Sequence, residues 1–107
     1  MSSDIIQFGG LRLDTRTGHA TLNDLSLPLT PTEFRLLATL ARQPGRALTR
    51  EELMNAAILD AIVLERTIDV HVRNLRTKIE ADSKHPKYIE TVYGMGYRFT
   101  AQKAPGA

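Results

Sequence analysis

The stretch Glu65–Glu80, ERTIDVHVRNLRTKIE, decides how this chain reads. At 100° per residue, Ile68, Val72, Leu75 and Ile79 fall 4, 3 and 4 apart and make one apolar stripe, the mark of an amphipathic helix. The opposite side gathers Arg66, Val70, Arg73, Asn74 and Thr77, with Thr67 and Lys78 on the shoulder. One face asks for a protein core. The other offers guanidiniums, an amide, a hydroxyl and a small apolar group, an inventory suited to base edges in a DNA major groove. A solvated basic surface fits the same residues, so this helix alone leaves both readings open.

The rest of the composition narrows the field. With 107 residues, 42% of them hydrophobic, the chain is sized for one small domain with a compact core. It has no cysteine, which excludes disulfides and thiolate metal sites. His19, His71 and His85 show no ligand spacing, so neither a metal nor a cofactor is expected. No apolar run approaches the roughly 18 residues that suggest a membrane span. Residues 1–10 lack the basic and apolar regions of a signal peptide, and the expected location is cytoplasmic. Charge is uneven. Residues 1–64 carry six Lys/Arg against seven Asp/Glu, whereas residues 65–107 carry eight against five. The C-terminal half is the one that would face a polyanion.

Downstream of the helix, Asp82–Lys87 is a polar loop. Two alternating segments, about 88–93 and 97–101, then flank a turn built on Gly94 and Gly96, which predicts a β-hairpin. Upstream lie two helix starts of one kind. Thr30-Pro31-Thr32-Glu33 has an N-cap threonine, a proline at the first helical position and a glutamate that completes a capping box. Phe34, Leu37, Leu40 and Ala41, with Leu36 beside them, supply its inward face, and Pro44-Gly45 stops it. After a short extended piece at Arg46–Leu48, Thr49-Arg50-Glu51-Glu52 opens a second helix. Residues 5–29 read as four short antiparallel strands separated by Gly9-Gly10, Thr17-Gly18 and Asn23-Asp24. Residues 58–64, ILDAIVL, are more apolar than a solvated loop should be. They either close the core or expose a contact patch for a protein partner. Residues 102–107 read as a disordered tail.

Three motifs now stand in order: LTPTEFRLLATLARQPGRALTREEL (Leu29–Leu53), RTIDVHVRNLRTKI (Arg66–Ile79) and YIETVYGMGYRF (Tyr88–Phe99). Together they resemble the OmpR/PhoB-type winged-helix effector domain of two-component response regulators, over about residues 5–101. The resemblance implies an α+β winged helix-turn-helix: an N-terminal four-stranded antiparallel sheet, a three-helix core and a C-terminal hairpin wing. It implies a non-enzymatic transcription regulator whose third helix, 65–80, enters the major groove while the wing, 88–100, reaches the minor groove. The family's base-reading and backbone-contacting positions fall on Arg66, Thr67, Asp69, Val70, Arg73 and Asn74. On the wing, Thr91 and Tyr93 are expected as further DNA contacts of this chain.

Each position also has a chemical reading of its own. Arg66 and Arg73 suit guanine or phosphate, Asn74 suits adenine, and Val70 suits a thymine methyl. Thr67, Thr77 and Lys78 suit phosphates. Asp69 is placed to align Arg66 and Arg73, and Arg76 to pair with Glu80. His71, beside the apolar stripe, fits either a phosphate contact or a packing role. Two departures from the family pattern stand out. Tyr93 sits where the wing tip often carries arginine, and Ile58-Leu59 sits where a Trp-Gly pair often precedes a polymerase-contacting loop. The expected partners are promoter DNA, bound as head-to-tail pairs on direct repeats by a domain that is monomeric in isolation, and a receiver domain in the full-length protein. The chain reads as an excised effector domain, with a free-standing one as the alternative, and RNA polymerase stays open as a partner. The competing function is a protein-interaction module working through 58–64.

Overall fold

The computed structural model describes residues 4–57 and 66–100. The chain begins with an antiparallel meander of β1 (Ile5–Phe8), β2 (Leu11–Asp14), β3 (His19–Leu22) and β4 (Leu25–Ser26), paired in that order. Register follows the side-chain alternation. Leu11 and Leu13 are buried while Arg12 is exposed, and Leu13 pairs with the buried Ala20. One face of the sheet therefore lies on the core and the other meets solvent.

Helix α1 (Pro31–Ala41) follows, then β5 (Ala47–Thr49), α2 (Arg50–Ala57) and α3 (Arg66–Ile79). Both capping boxes form. Glu33 N donates to Thr30 Oγ1 at 3.1 Å and Thr30 N to the Glu33 carboxylate at 2.9 Å. Glu52 N and Thr49 N make the matching pair at 3.0 Å each. The inward faces of the three helices meet in one cluster. Phe34, Leu37 and Leu40 of α1, Leu53 of α2, and Ile68, Val72, Leu75 and Ile79 of α3 are all buried in it. Phe8 of the meander joins this cluster edge-on to Phe99, with ring centroids 4.8 Å apart. The apolar segment 58–64 and the tail 102–107 lie outside the described residues.

The chain ends in a hairpin of β6 (Ile89–Val92) and β7 (Gly96–Phe99). Its strands are shorter than the sequence reading of 88–93 and 97–101. The two expected turn glycines also divide their labour. Gly94 sits at φ +81°, a turn position that favours glycine. Gly96 is instead the first residue of β7 and faces Thr49 of β5. A Cβ built on it would lie 2.0 Å from the Leu48 carbonyl oxygen, so the close approach of β5 requires a glycine there. The extended piece before α2 is thus the third strand of the wing sheet, in the order β5-β7-β6. The wing is bonded into the helical core along β7.

Candidate nucleic-acid interface

Helix α3 presents three surfaces. The stripe of Ile68, Val72, Leu75 and Ile79 is buried, with at most 2% exposure. Opposite it, Val70, Arg73, Asn74 and Thr77 are exposed together, and Val70 keeps 44% of its surface in solvent. An exposed valine between polar neighbours has no core to join, so its apolar surface is available to a ligand. Among the described residues, no carboxylate pairs with Arg73. Thr77 is exposed and returns its hydroxyl hydrogen to Asn74 O at 2.7 Å. Arg66 opens the helix, with its side chain outside the described residues. Thr67 and His71 lie half-buried on the shoulder.

The two flanks of α3 depart from the sequence reading. Lys78, expected on phosphate, is seated on α1: its Nζ donates to Glu33 Oε1 at 2.6 Å, and Glu33 is 3% exposed. The same Glu33 carboxylate thus serves both the α1 cap and the half-buried Lys78 ammonium. On the other flank, Asp69, expected to align Arg66 and Arg73, makes no ion pair with Arg73 among the described residues. It accepts from Arg50 Nε of α2 at 2.7 Å and from the Tyr97 hydroxyl of β7. Burial would raise the Asp69 carboxyl, but the Tyr97 bond and the Arg50 bond and charge hold it below its ordinary value. Burial, then the Asp69 bond, push the Tyr97 hydroxyl up.

Arg76 likewise does not pair with Glu80. It donates Nε and Nη2 to Ile89 O at 3.2 and 2.9 Å, and Nη2 to Thr91 Oγ1 at 2.9 Å. The guanidinium carbons of Arg50 and Arg76 lie 5.5 and 5.3 Å from the Tyr97 ring centroid. Glu80 is buried, and its carboxylate accepts from the backbone N–H groups of Lys87, Tyr88 and Ile89. Sequence reasoning missed Arg50, Tyr97 and the cap role of Glu80. The one local signal was the seven-residue spacing of Asp69 and Arg76, which puts both on the same flank of α3.

At the wing tip, Tyr93 is 92% exposed and Met95 46%. The tip carries no charge between Val92 and Gly96. A cleft of about 400 Å³ separates the wing from the loop after α3, lined by Ser83, Lys84, His85, Thr91 and Tyr93 among others. Thr91 lies at its edge with its hydroxyl engaged by Arg76. Among the described residues, no group of three or more His, Asp or Glu side chains could hold a metal ion, and no helix is long and apolar enough to cross a membrane.

A three-helix core with a β-hairpin beside its third helix, and an exposed polar face on that helix, defines a winged helix-turn-helix domain of the kind found in DNA-binding proteins. The family model described as "Transcriptional regulatory protein, C terminal" matches residues 24–99, and the chain belongs to this family, of OmpR/PhoB type. Transcriptional regulatory protein BaeR of Escherichia coli is 44% identical over 92 residues, which are 85% of this chain and 38% of BaeR. Response regulator DrrB, an OmpR/PhoB homologue from Thermotoga maritima, superimposes with a TM-score of 0.84 at 33% identity, over 92% of this chain and 45% of DrrB. The DNA-binding domain of Klebsiella pneumoniae RstA, solved in complex with the RstA box, superimposes with a TM-score of 0.78 at 29% identity, over 90% of this chain and 96% of that one. The chain therefore spans less than half the length of BaeR or DrrB. The family comprises regulators of transcription, not enzymes.

Proposed function

We propose that this domain binds duplex DNA sequence-specifically and serves as the output domain of a two-component response regulator. Helix α3 lies in the major groove with Arg73, Asn74 and Val70 on base edges, and Arg66, Thr67 and Thr77 complete its contacts. The wing reaches the adjacent minor groove, where Tyr93 packs against sugars and Thr91 stands at the cleft through which a backbone strand would pass. Lys78 is left out of the contact set, because Glu33 already holds its charge. In the full-length cytoplasmic protein, a receiver domain would bring two such domains together head to tail on direct repeats, and raise avidity through local concentration. RNA polymerase is a further partner of the assembled complex.

One observation carries the reading: Arg73, Asn74 and a 44%-exposed Val70 share one face of α3 while the opposite stripe is sealed in the core. The resemblance of the whole fold to domains solved with DNA supports it. The test is selection from a random duplex pool, followed by titration of the recovered sequence at several salt concentrations. A log-log salt slope between about −3 and −5 is expected, from three to six phosphate contacts. Arg73→Ala should cost about 1–3 kcal/mol and relax the preference at one base position. A flat salt response, or an equal loss on every sequence, would remove the groove-reading model.

A further inference from the structure

The base of the wing holds a cluster that the base-reading face does not use. Asp69 and Arg76 project from one flank of α3, two turns apart. Asp69 takes hydrogen bonds from Arg50 of α2 and from the Tyr97 hydroxyl of β7. Arg76 grips β6 through Ile89 O and Thr91 Oγ1. Tyr97 is 5% exposed and has both guanidiniums near its ring. Two strands of the wing, the recognition helix and α2 thus meet at four side chains. Gly96, pressed on the Leu48 carbonyl, closes the same junction from the β5 side.

We propose that Tyr97 and Asp69 are positioning residues for recognition, fixing the wing at one angle and distance to α3 so that the two report on a single, rigidly spaced stretch of DNA. The geometry gives the physical reason. A hairpin hinged at its root would let Tyr93 sample several positions, and each base contact would then be made independently of the next. A hydrogen-bonded tyrosine flanked by two guanidiniums leaves the root few alternatives, because moving it strips a carboxylate, a hydroxyl and two cations of partners at once. Neither arginine of the cluster is then free to serve as a phosphate clamp. Specificity comes from the spacing they impose. The inference rests on the DNA-binding reading for its consequence, but the rigid coupling itself stands without it.

Two measurements test it on the 107-residue chain. The first uses no DNA. Residual dipolar couplings of backbone amides are compared between the wild type, Tyr97→Phe and Asp69→Asn. In the wild type one alignment tensor should fit α3 and the wing together. In both variants the couplings of residues 91–97 should shrink while those of α3 and of β1–β4 stay unchanged. A single tensor that still fits both elements in Tyr97→Phe overturns the proposal. The second is selection from a random duplex pool. Tyr97→Phe should recover the bases facing α3, lose preference at the flank facing the wing, and bind the wild-type sequence roughly tenfold more weakly, the worth of one groove contact. A role confined to stability would lower the melting temperature and leave the selected sequence and its spacing intact, and that result would also overturn positioning. Should the wild type select no sequence, the DNA reading fails, while the couplings alone still decide whether the root is rigid.

Discussion

Thr30–Glu33 and Thr49–Glu52 are the same four-residue device, used at the starts of α1 and α2 with nearly the same reciprocal bond lengths. Their settings differ. Glu33 is 3% exposed and takes the ammonium of Lys78 from the far flank of α3. Glu52 stays near the surface and takes Arg46 from the adjoining turn at 3.1 Å. One box ties together two helices of the core, and the other reaches no further than the turn before β5. A capping motif fixes a helix start in either setting. Whether it also carries tertiary structure depends on what the fold places opposite its carboxylate.

Three substitutions separate the two boxes by experiment. The largest effect is expected from Glu33→Ala, which removes the cap and leaves the part-buried Lys78 ammonium unpaired. Urea unfolding should show a loss of about 2–3 kcal/mol. Glu33→Gln keeps the cap and removes only the charge, so a loss of about 1 kcal/mol is expected at neutral pH. Its pH dependence has a definite sign. Burial would raise the Glu33 carboxyl, but the bond and charge of Lys78 and the Thr30 amide outweigh it and hold the group below its ordinary 4.5. A lowered folded-state value means that the stabilisation is fully present above 4.5 and fades as pH falls through the folded value. The wild type should therefore lead Glu33→Gln by a constant margin at neutral pH, and the margin should close in acid. A margin that does not change with pH would show that the ion pair contributes nothing. The smallest effect belongs to Glu52→Ala, whose carboxylate is partly exposed and pairs with an exposed arginine. Its unfolding midpoint should shift less than that of Glu33→Gln, and a larger shift would refute the distinction between the boxes.

The same contrast marks how far the sequence could be read. The cap threonines, the alternation of Leu11 and Leu13, the stripe from Ile68 to Ile79 and the turn glycine at 94 are local patterns, and each appears where the spacing predicts. The outward face of Val70, Arg73 and Asn74 follows from the same wheel. What escaped was pairing across the chain. Lys78 lies 45 residues from Glu33, Tyr97 lies 28 from Asp69, and Asp69 lies 19 from Arg50. Periodicity says which side of a helix a charge occupies, but not what the fold will bring against it. Lys78 and Arg73 looked alike as basic residues on the polar half of one helix. The position of α1 separates them, sealing one into an ion pair and leaving the other in solvent. Gly96 misled for a related reason. A second glycine two residues after the first looks like turn chemistry, whereas its need comes from a carbonyl of a distant strand.

The crossed roles of Arg76 and Glu80 have one more consequence. These residues, four apart on α3 and its exit, do not bond each other but reach the backbone of the same residue: Glu80 accepts from Ile89 N at 3.0 Å and Arg76 donates to Ile89 O. Ile89 opens β6, the outer strand of the wing sheet, and both of its backbone groups face away from β7. An open strand edge is a template on which another chain can add, the first step of strand-wise aggregation. With Ile89 buried and both its backbone groups held by Glu80 and Arg76, this part of the β6 edge offers no open ladder to another chain.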